Sequence, residues 1–301
     1  MRKLFTDLLF FAAAAFLFVS CRTIQTVDYP VQEKPVSSEI RIVQISDFHS
    51  NEFGADENEL IGKVKKTRPD IIVITGDLFD ERMPGNEGFG NVKLLLAGIQ
   101  NMCPAFFITG NHDFSDLHID EKYALVEQYG IKVLHDEVTA LTLPQGTILI
   151  AGIEDPYLDL GETAKLKGPD DSSRYRIRLA SLAEKTESLA EEYKAAPGGH
   201  LLLTMLLAHR PEYIDDYLQY DFDLILSGHA HGGQWRFPPL INGIYAPRQG
   251  VFPKYAGGRY NFKNGAGTVM IVSRGLSWQE PAVPRIFNSP ELVLIEVIPL
   301  K

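Results

Sequence analysis

Six short runs along this chain are apolar almost throughout: Ile40 to Ile45, Ile71 to Thr75, Ala105 to Thr109, Thr147 to Gly152, Leu201 to Ala208 and Leu224 to Ser227. A strand with one wet face alternates apolar and polar residues, so runs of this kind read as strands covered on both faces. The covers are present in the sequence. Glu57 to Lys66, Val92 to Asn101 and Asp120 to Gln128 read as helices, and a long polar helix is expected over Arg174 to Ala196, ended by Pro197-Gly198-Gly199. Past Gly257, Arg259 to Phe262 and Thr268 to Val272 read as a hairpin around Lys263-Asn264-Gly265, and Leu292 to Ile298 as a last strand. An α/β sandwich with two packed sheets fits this order, in one large domain without internal repeats.

Polar residues collect just past the ends of these runs. The first leads into Asp47-Phe48-His49, the second into Gly76-Asp77 and on to Asp80, the third into Gly110-Asn111-His112-Asp113. Leu201 to Ala208 leads to His209, and Leu224 to Ser227 leads to Gly228-His229-Ala230-His231-Gly232-Gly233-Gln234. The carboxyl edge of an α/β sheet is where ligands bind, because rigid strands there aim mobile loops. Each block taken singly reads as a turn or a core histidine; five of them at successive strand ends read as one site.

The chemistry available to such a site is bounded by composition. Two cysteines, Cys21 and Cys103, cannot form a thiolate zinc site or a disulfide framework, so a metal here is held by His, Asp, Glu or Asn. Imidazoles mixed with hard oxygen donors suit Mn²⁺, Fe or Zn²⁺. Asp47 and His49 at i and i+2 point the same way, His229 and His231 repeat the spacing, and the two oxygens of Asp77 suit it to bridge a pair of ions. The net charge of −10 excludes attraction of nucleic acid by a basic field.

The five blocks together resemble the calcineurin-like metallophosphoesterases, whose signature is D-x-H, G-D-x-x-D, G-N-H-[DE], H and G-H-x-H. The similarity runs over roughly Ile40 to Glu296. It is closest to the bacterial membrane-associated branch, in which the last motif continues as G-G-Q and the tail carries Ser-Arg-Gly and Pro-Glu, here Ser273-Arg274-Gly275 and Pro290-Glu291. Leu276-Ser277-Trp278 departs from that branch, which has a second glycine after the leucine. The resemblance implies a four-layer α/β/β/α sandwich of two mixed sheets flanked by helices. It also implies two divalent ions, one held by Asp47, His49, Asp77 and His231 and the other by Asp77, Asn111, His209 and His229. It gives His112 the role of stabilising phosphoryl oxygens or protonating the leaving alkoxide, with Asp113 or Asp80 orienting the imidazole. The expected activity is phosphoester hydrolysis by in-line attack of a metal-activated hydroxide, on diesters more than on monoesters. The rival readings are a non-catalytic metal-binding scaffold of the same fold and an amide hydrolase using the same metals. Arg210, Arg248, Arg259 and Arg274 are candidates to meet the second phosphate substituent, with most of them expected at the surface. His118, His135 and His200 match no block and read as solvated or structural.

The amino terminus reads as an address. Met1-Arg2-Lys3 is basic, Leu8 to Val19 is almost wholly apolar but shorter than the ~20 residues of a spanning helix, and Phe18-Val19-Ser20-Cys21 resembles a bacterial lipobox with Phe18 where Leu is usual. Residues 1–21 are therefore expected to be a signal peptide, 22–38 a polar linker and 39–301 the folded domain. An exported, membrane-tethered lipoprotein would meet phosphoesters of lipid or cell-envelope origin.

Overall fold

The computed structural model describes residues 23–32, 38–80, 89–114, 118–159, 172–265, 267–278 and 285–298. The expected signal peptide and Cys21 lie outside them. Among the described residues no helix is long and apolar enough to cross a membrane.

Two six-stranded mixed sheets form the centre. The first contains β1 (Gln25–Gln32), β2 (Ile40–Ile45), β3 (Ile71–Thr75), β4 (Ala105–Ile108), β5 (Lys132–Val133) and β14 (Glu291–Ile298), in the order β1-β14-β2-β3-β4-β5. The second contains β6 (Glu137–Leu143), β7 (Gly146–Ile153), β8 (Leu201–Ala208), β9 (Leu224–Ser227), β12 (Gly258–Asn261) and β13 (Val269–Val272), in the order β12-β13-β9-β8-β7-β6. A separate ribbon pairs β10 (Tyr245–Ala246) with β11 (Gly250–Val251). Strands β2 to β5 are mutually parallel, as are β7, β8, β9 and β13, so the carboxyl ends that bear the polar blocks share an edge in each sheet.

The side-chain period of two explains why these strands are apolar throughout. In β3, Ile71 and Val73 pack into the layer between the sheets against residues such as Met205, Leu207 and Leu226. Ile72 and Ile74 face the other way, into a layer built with Leu60 and Val64 of α1 (Asn58–Thr67) and Leu95 and Leu96 of α2 (Gly90–Ile99). Val126 of α3 (Ile119–Gln128) joins that layer. On the far side of the second sheet, Leu206, Ile225 and Met270 meet Tyr175, Leu179, Leu182 and Ala183 of α4 (Ser173–Ala195). The buried positions of α4 recur at helical spacing, which lets an otherwise polar 23-residue helix cover the sheet. The result is the four-layer sandwich. Each of the Val, Leu, Ile and Met side chains named, fully buried, contributes on the order of 1.5–3 kcal/mol relative to exposure.

The linker expected over 22–38 is corrected by β1, which pairs in parallel with β14 over its whole length and places Ile24 and Val31 in the core. It lies at the edge of its sheet, with Thr26, Asp28 and Pro30 exposed and Val27, Tyr29 and Val31 turned inward. Proline is tolerated there because an edge strand leaves one row of amides unpaired. The fold thus begins about fifteen residues earlier than the sequence reading placed it.

The chain leaving His49 is held by Glu57, whose carboxylate accepts from the Phe53 amide at 3.2 Å and is buried. Burial pushes this carboxyl up to about 8, against the lowering effect of that bond. A folded-state value above the unfolded one stabilises the fold at low pH and is lost as pH rises from the ordinary glutamate range through about 8. Glu57→Gln, which cannot ionise, is expected to leave Tm at pH 5 near that of the parent and to raise it at pH 9 by about 2–6 °C, read by thermal melts at both values.

Candidate metal centre

The site is built at the carboxyl edges of the two stacked sheets. The loops after β2 and β3 continue the parallel ladder past the strands: Asp47, His49 and Ser50 donate from their amides to the carbonyls of Gly76, Asp77 and Leu78 at 2.9–3.1 Å. On the other sheet the Gly228 amide donates to the His209 carbonyl at 2.9 Å. Gln44 ties the two together through its side-chain amide, which donates to Thr75 Oγ1 and to the Ser227 carbonyl, both at 2.9 Å.

One donor atom from each of Asp47, His49, Asp77 and His231 lies within 4.8 Å of the others, and the same holds for Asp77, His209 and His229. All six side chains are buried. Asp77 belongs to both groups. Its Oδ2 sits 3.4 Å from His49 Nε2 and 3.2 Å from His209 Nε2, yet neither contact is aligned as a hydrogen bond. His209 Nε2 and Asn111 Oδ1 are likewise buried without a hydrogen-bond partner. Buried polar atoms are normally satisfied, and each left bare costs about 1–3 kcal/mol. A bare carboxylate oxygen and imidazole nitrogen 3.2 Å apart, with a bare amide oxygen on the neighbouring loop, are donors of the kind that fit two divalent cations sharing Asp77.

Other polar groups prepare the donors. His209 Nδ1 donates to the Thr75 carbonyl at 2.7 Å, which fixes the tautomer and leaves Nε2 as the ligand atom. Burial would lower this imidazole, but the Asp77 carboxylate overrides it and lifts it to about 10. His229 and His231 are pushed well below the usual histidine range, chiefly by burial, then by Arg210 and His209 for the first and by His49 and Arg285 for the second. Both are therefore neutral, the form that binds metal. Asp77 is held well below the usual carboxylate range because His209, His112 and His49 outweigh its burial.

Five ligand residues, Asp47, His49, Asp77, His229 and His231, have φ between 47° and 64°, a region that costs non-glycine residues about 1–3 kcal/mol each. Such strain persists where a function requires the geometry. Close packing beneath the ligands enforces it. A Cβ on Gly228 would stand 2.0 Å from Ser46 Oγ and 2.4 Å from Asp47 Oδ2. Gly228→Ala is therefore expected to displace Asp47 and weaken metal binding about 10–100-fold, measured by competition with a chromophoric chelator. The tail motif packs under the same ligand: the Leu276 and Ser277 amides donate to the carbonyls of Ser46 and Asp47 at 3.0 and 2.6 Å.

His112 and its two proposed orienting acids separate in space. Asp80 Oδ2 lies 3.5 Å from His112 Nδ1 and 3.2 Å from His49 Nδ1, so one buried carboxylate faces both imidazoles. Asp113 does not face the His112 ring. Its carboxylate accepts from the amides of Asp77, Phe79 and Gly110 at 2.7–3.0 Å and staples the loops after β3 and β4 together. Its position is dictated by three unpaired loop amides, which a carboxylate satisfies better than a histidine can.

The arginines divide as well. Arg210, one of four candidates read as mostly superficial, is 2 % exposed and gripped by Asp155 at 2.6 and 3.2 Å. Arg210 and Arg248 line a cleft of about 350 Å³ together with Asn111, His112, His229 and His231. Arg274 is buried 3.2 Å from Glu291, and Arg259 is exposed at the edge strand. Sequence reading missed Asp155, which positions Arg210, and Arg285, which stands 3.4 Å from His231 Nδ1. His118, His135 and His200 lie away from the cleft; His118 and His135 meet Glu121 and Glu154.

A family model described as calcineurin-like phosphoesterase matches residues 40–233, from β2 through the last histidine motif. The chain belongs to that family. It is similar to an uncharacterized metallophosphoesterase of Aquifex aeolicus, 25% identical over 94% of this chain and 92% of the relative, and to uncharacterized protein YpbG of Bacillus subtilis, 26% identical over 83% and 82%. The solved NAD nucleotidase of Haemophilus influenzae shares the fold, with a TM-score of 0.52, 19% identity, and 79% of this chain against 45% of that one covered. This metallophosphoesterase is thus a phosphoric ester hydrolase with a candidate dinuclear metal centre.

Proposed function

We propose that this metallophosphoesterase is a phosphodiesterase of the cell envelope, exported and tethered to a membrane through its amino terminus, with a lipid or other envelope phosphoester as substrate and Mn²⁺, Fe or Zn²⁺ as the metal pair. The observation that carries the reading is the lining of the cleft: metal-ligand histidines, His112, two arginines and two tyrosines converge there, with no carboxylate among the described lining residues. An anion therefore enters a locally positive opening on a chain of net charge −10.

Two divalent ions held by Asp47, His49, Asp77, Asn111, His209, His229 and His231 would supply Lewis-acid charge and a water-derived nucleophile. The chain's own residues do the rest. Asp155 fixes the Arg210 guanidinium with Nη1 3.4 Å from both Glu212 Oε1 and His229 Nε2, so its charge is held at the cleft wall for phosphoryl oxygens without first losing side-chain freedom. Arg248 adds a second positive wall, while Tyr245 and Pro247 give apolar surface on which a second ester substituent can lie. His112, part-exposed at the cleft with Asp80 behind Nδ1, holds a proton where the leaving oxygen departs.

The diester reading is tested by comparing bis-p-nitrophenyl phosphate with p-nitrophenyl phosphate after reconstitution with Mn²⁺ or Zn²⁺. A kcat/KM favouring the diester about tenfold or more is expected. Preference for the monoester under both metals overturns it.

A further inference from the structure

Ten large apolar side chains are exposed among the described residues, and seven of them belong to one face: six between Trp235 and Phe252, and Phe287 opposite. Single exposed apolar residues are ordinary, whereas a contiguous patch marks a binding surface. This patch is contiguous. Trp235 bridges to Ile286, the Phe252 amide donates to the Ile244 carbonyl at 2.8 Å, and the Phe237 and Phe287 rings lie 5.7 Å apart. Its tips stand clear of the body, with Leu240 88 % and Phe252 66 % exposed. It also borders the cleft, because Tyr245 belongs to both.

Two further observations indicate what covers it. The first is charge. From Trp235 to Lys254 the sequence that forms this face holds no Asp or Glu, while Arg236, Arg248 and Lys254 fall within it, in a chain whose acids outnumber its bases by ten. Aromatic and aliphatic tips on a segment that carries cations and no acid of its own match an anionic lipid headgroup layer. The second is where the first described strand starts. β1 begins at Gln25 opposite Glu291, and β14 runs antiparallel to β2 with Val293 opposite Gln44. Gln25 therefore lies at the metal-bearing edge, and it lines a pocket with Phe237, Leu240 and Phe287. The first described strand thus starts beside this patch.

We infer that the face from Trp235 to Phe252, with Phe287, docks into the interfacial layer of a lipid bilayer, so that the metal-centre cleft opens against the membrane. Penetration of about 5–10 Å accommodates Leu240 and Phe252 while the arginines stay among headgroups. The docking rests on the metallophosphoesterase reading only for what the cleft then presents to lipid.

The chain has two tryptophans, so Trp278→Phe leaves Trp235 as the sole reporter. The full chain carrying that change is bound to phosphatidylcholine vesicles containing phosphatidylglycerol, with acyl chains brominated close to the headgroup. Docking predicts that Trp235 emission shifts to the blue and loses about half its intensity. Adding Leu240→Asp and Phe252→Asp abolishes the quenching and leaves hydrolysis of soluble bis-p-nitrophenyl phosphate unchanged. The inference is overturned if vesicle-bound chain shows unquenched Trp235, if quenching survives the paired substitutions, if the chain fails to sediment with vesicles, or if Trp235 is shielded without lipid by a concentration-dependent dimer. A chain that docks yet hydrolyses no phosphodiester contradicts the proposed function instead.

Discussion

Asp77→Asn is expected to abolish turnover, by at least about 10³-fold, and to reduce bound metal at both positions rather than one. Asp77 is the residue shared by the two donor groups, and its Oδ2 is the buried oxygen facing His49 and His209 without a hydrogen bond. Asparagine keeps an oxygen for the His112 amide, which donates to Asp77 Oδ1 at 2.7 Å, so the loop retains its anchor. The metal-free variant should melt within a few degrees of the metal-free parent. Saturating metal should then raise the parent's Tm and leave the variant's unchanged, since a ligand stabilises only the state that binds it; at a hundred times Kd the gain is about 2.7 kcal/mol. Differential scanning fluorimetry with and without Mn²⁺ separates this from simple misfolding.

His112→Ala is expected to keep the metal content of the parent and lose about 10²–10⁴-fold in kcat. The Asn111 side chain supplies the donor oxygen while the adjacent His112 ring stands next to Asp80, so deleting the ring removes no ligand. An apo His112→Ala protein would contradict the assignment. Asp80→Asn should act through the imidazole as a smaller loss whose pH profile moves, because Asp80 positions the ring and touches no leaving group. Asp113→Asn would behave otherwise, weakening the loop staple and lowering stability, since its carboxylate bonds three amides and not His112.

Burial decides how much of this was legible in the sequence. β2, β3, β8 and β9 announce themselves because both faces are covered, so few polar residues interrupt them, chiefly Arg41 and Gln44 in β2 and Thr204 in β8. β1 and β6 lie at sheet edges and carry alternating or mixed residues. The alternation of Val27, Tyr29 and Val31 with Thr26, Asp28 and Pro30 was a readable strand signal, obscured by two prolines and by the expectation of a tether. The ligands were legible because each sits just beyond a buried strand. Their supports were not: Asp155 is 55 positions from Arg210 and Arg285 is 54 from His231, and no local pattern links residues that meet only after both sheets have formed. The left-handed conformation of five ligands is equally silent in sequence, apart from the glycines beside them.

The central claim is that one buried carboxylate holds two ions in a phosphoester hydrolase. Metal analysis of the purified chain, paired with bis-p-nitrophenyl phosphate turnover during stepwise chelation and readdition, tests it most directly. Two divalent ions per chain are expected, with turnover lost on chelation and restored as the second equivalent binds. Turnover that persists at zero or one ion per chain would contradict the account.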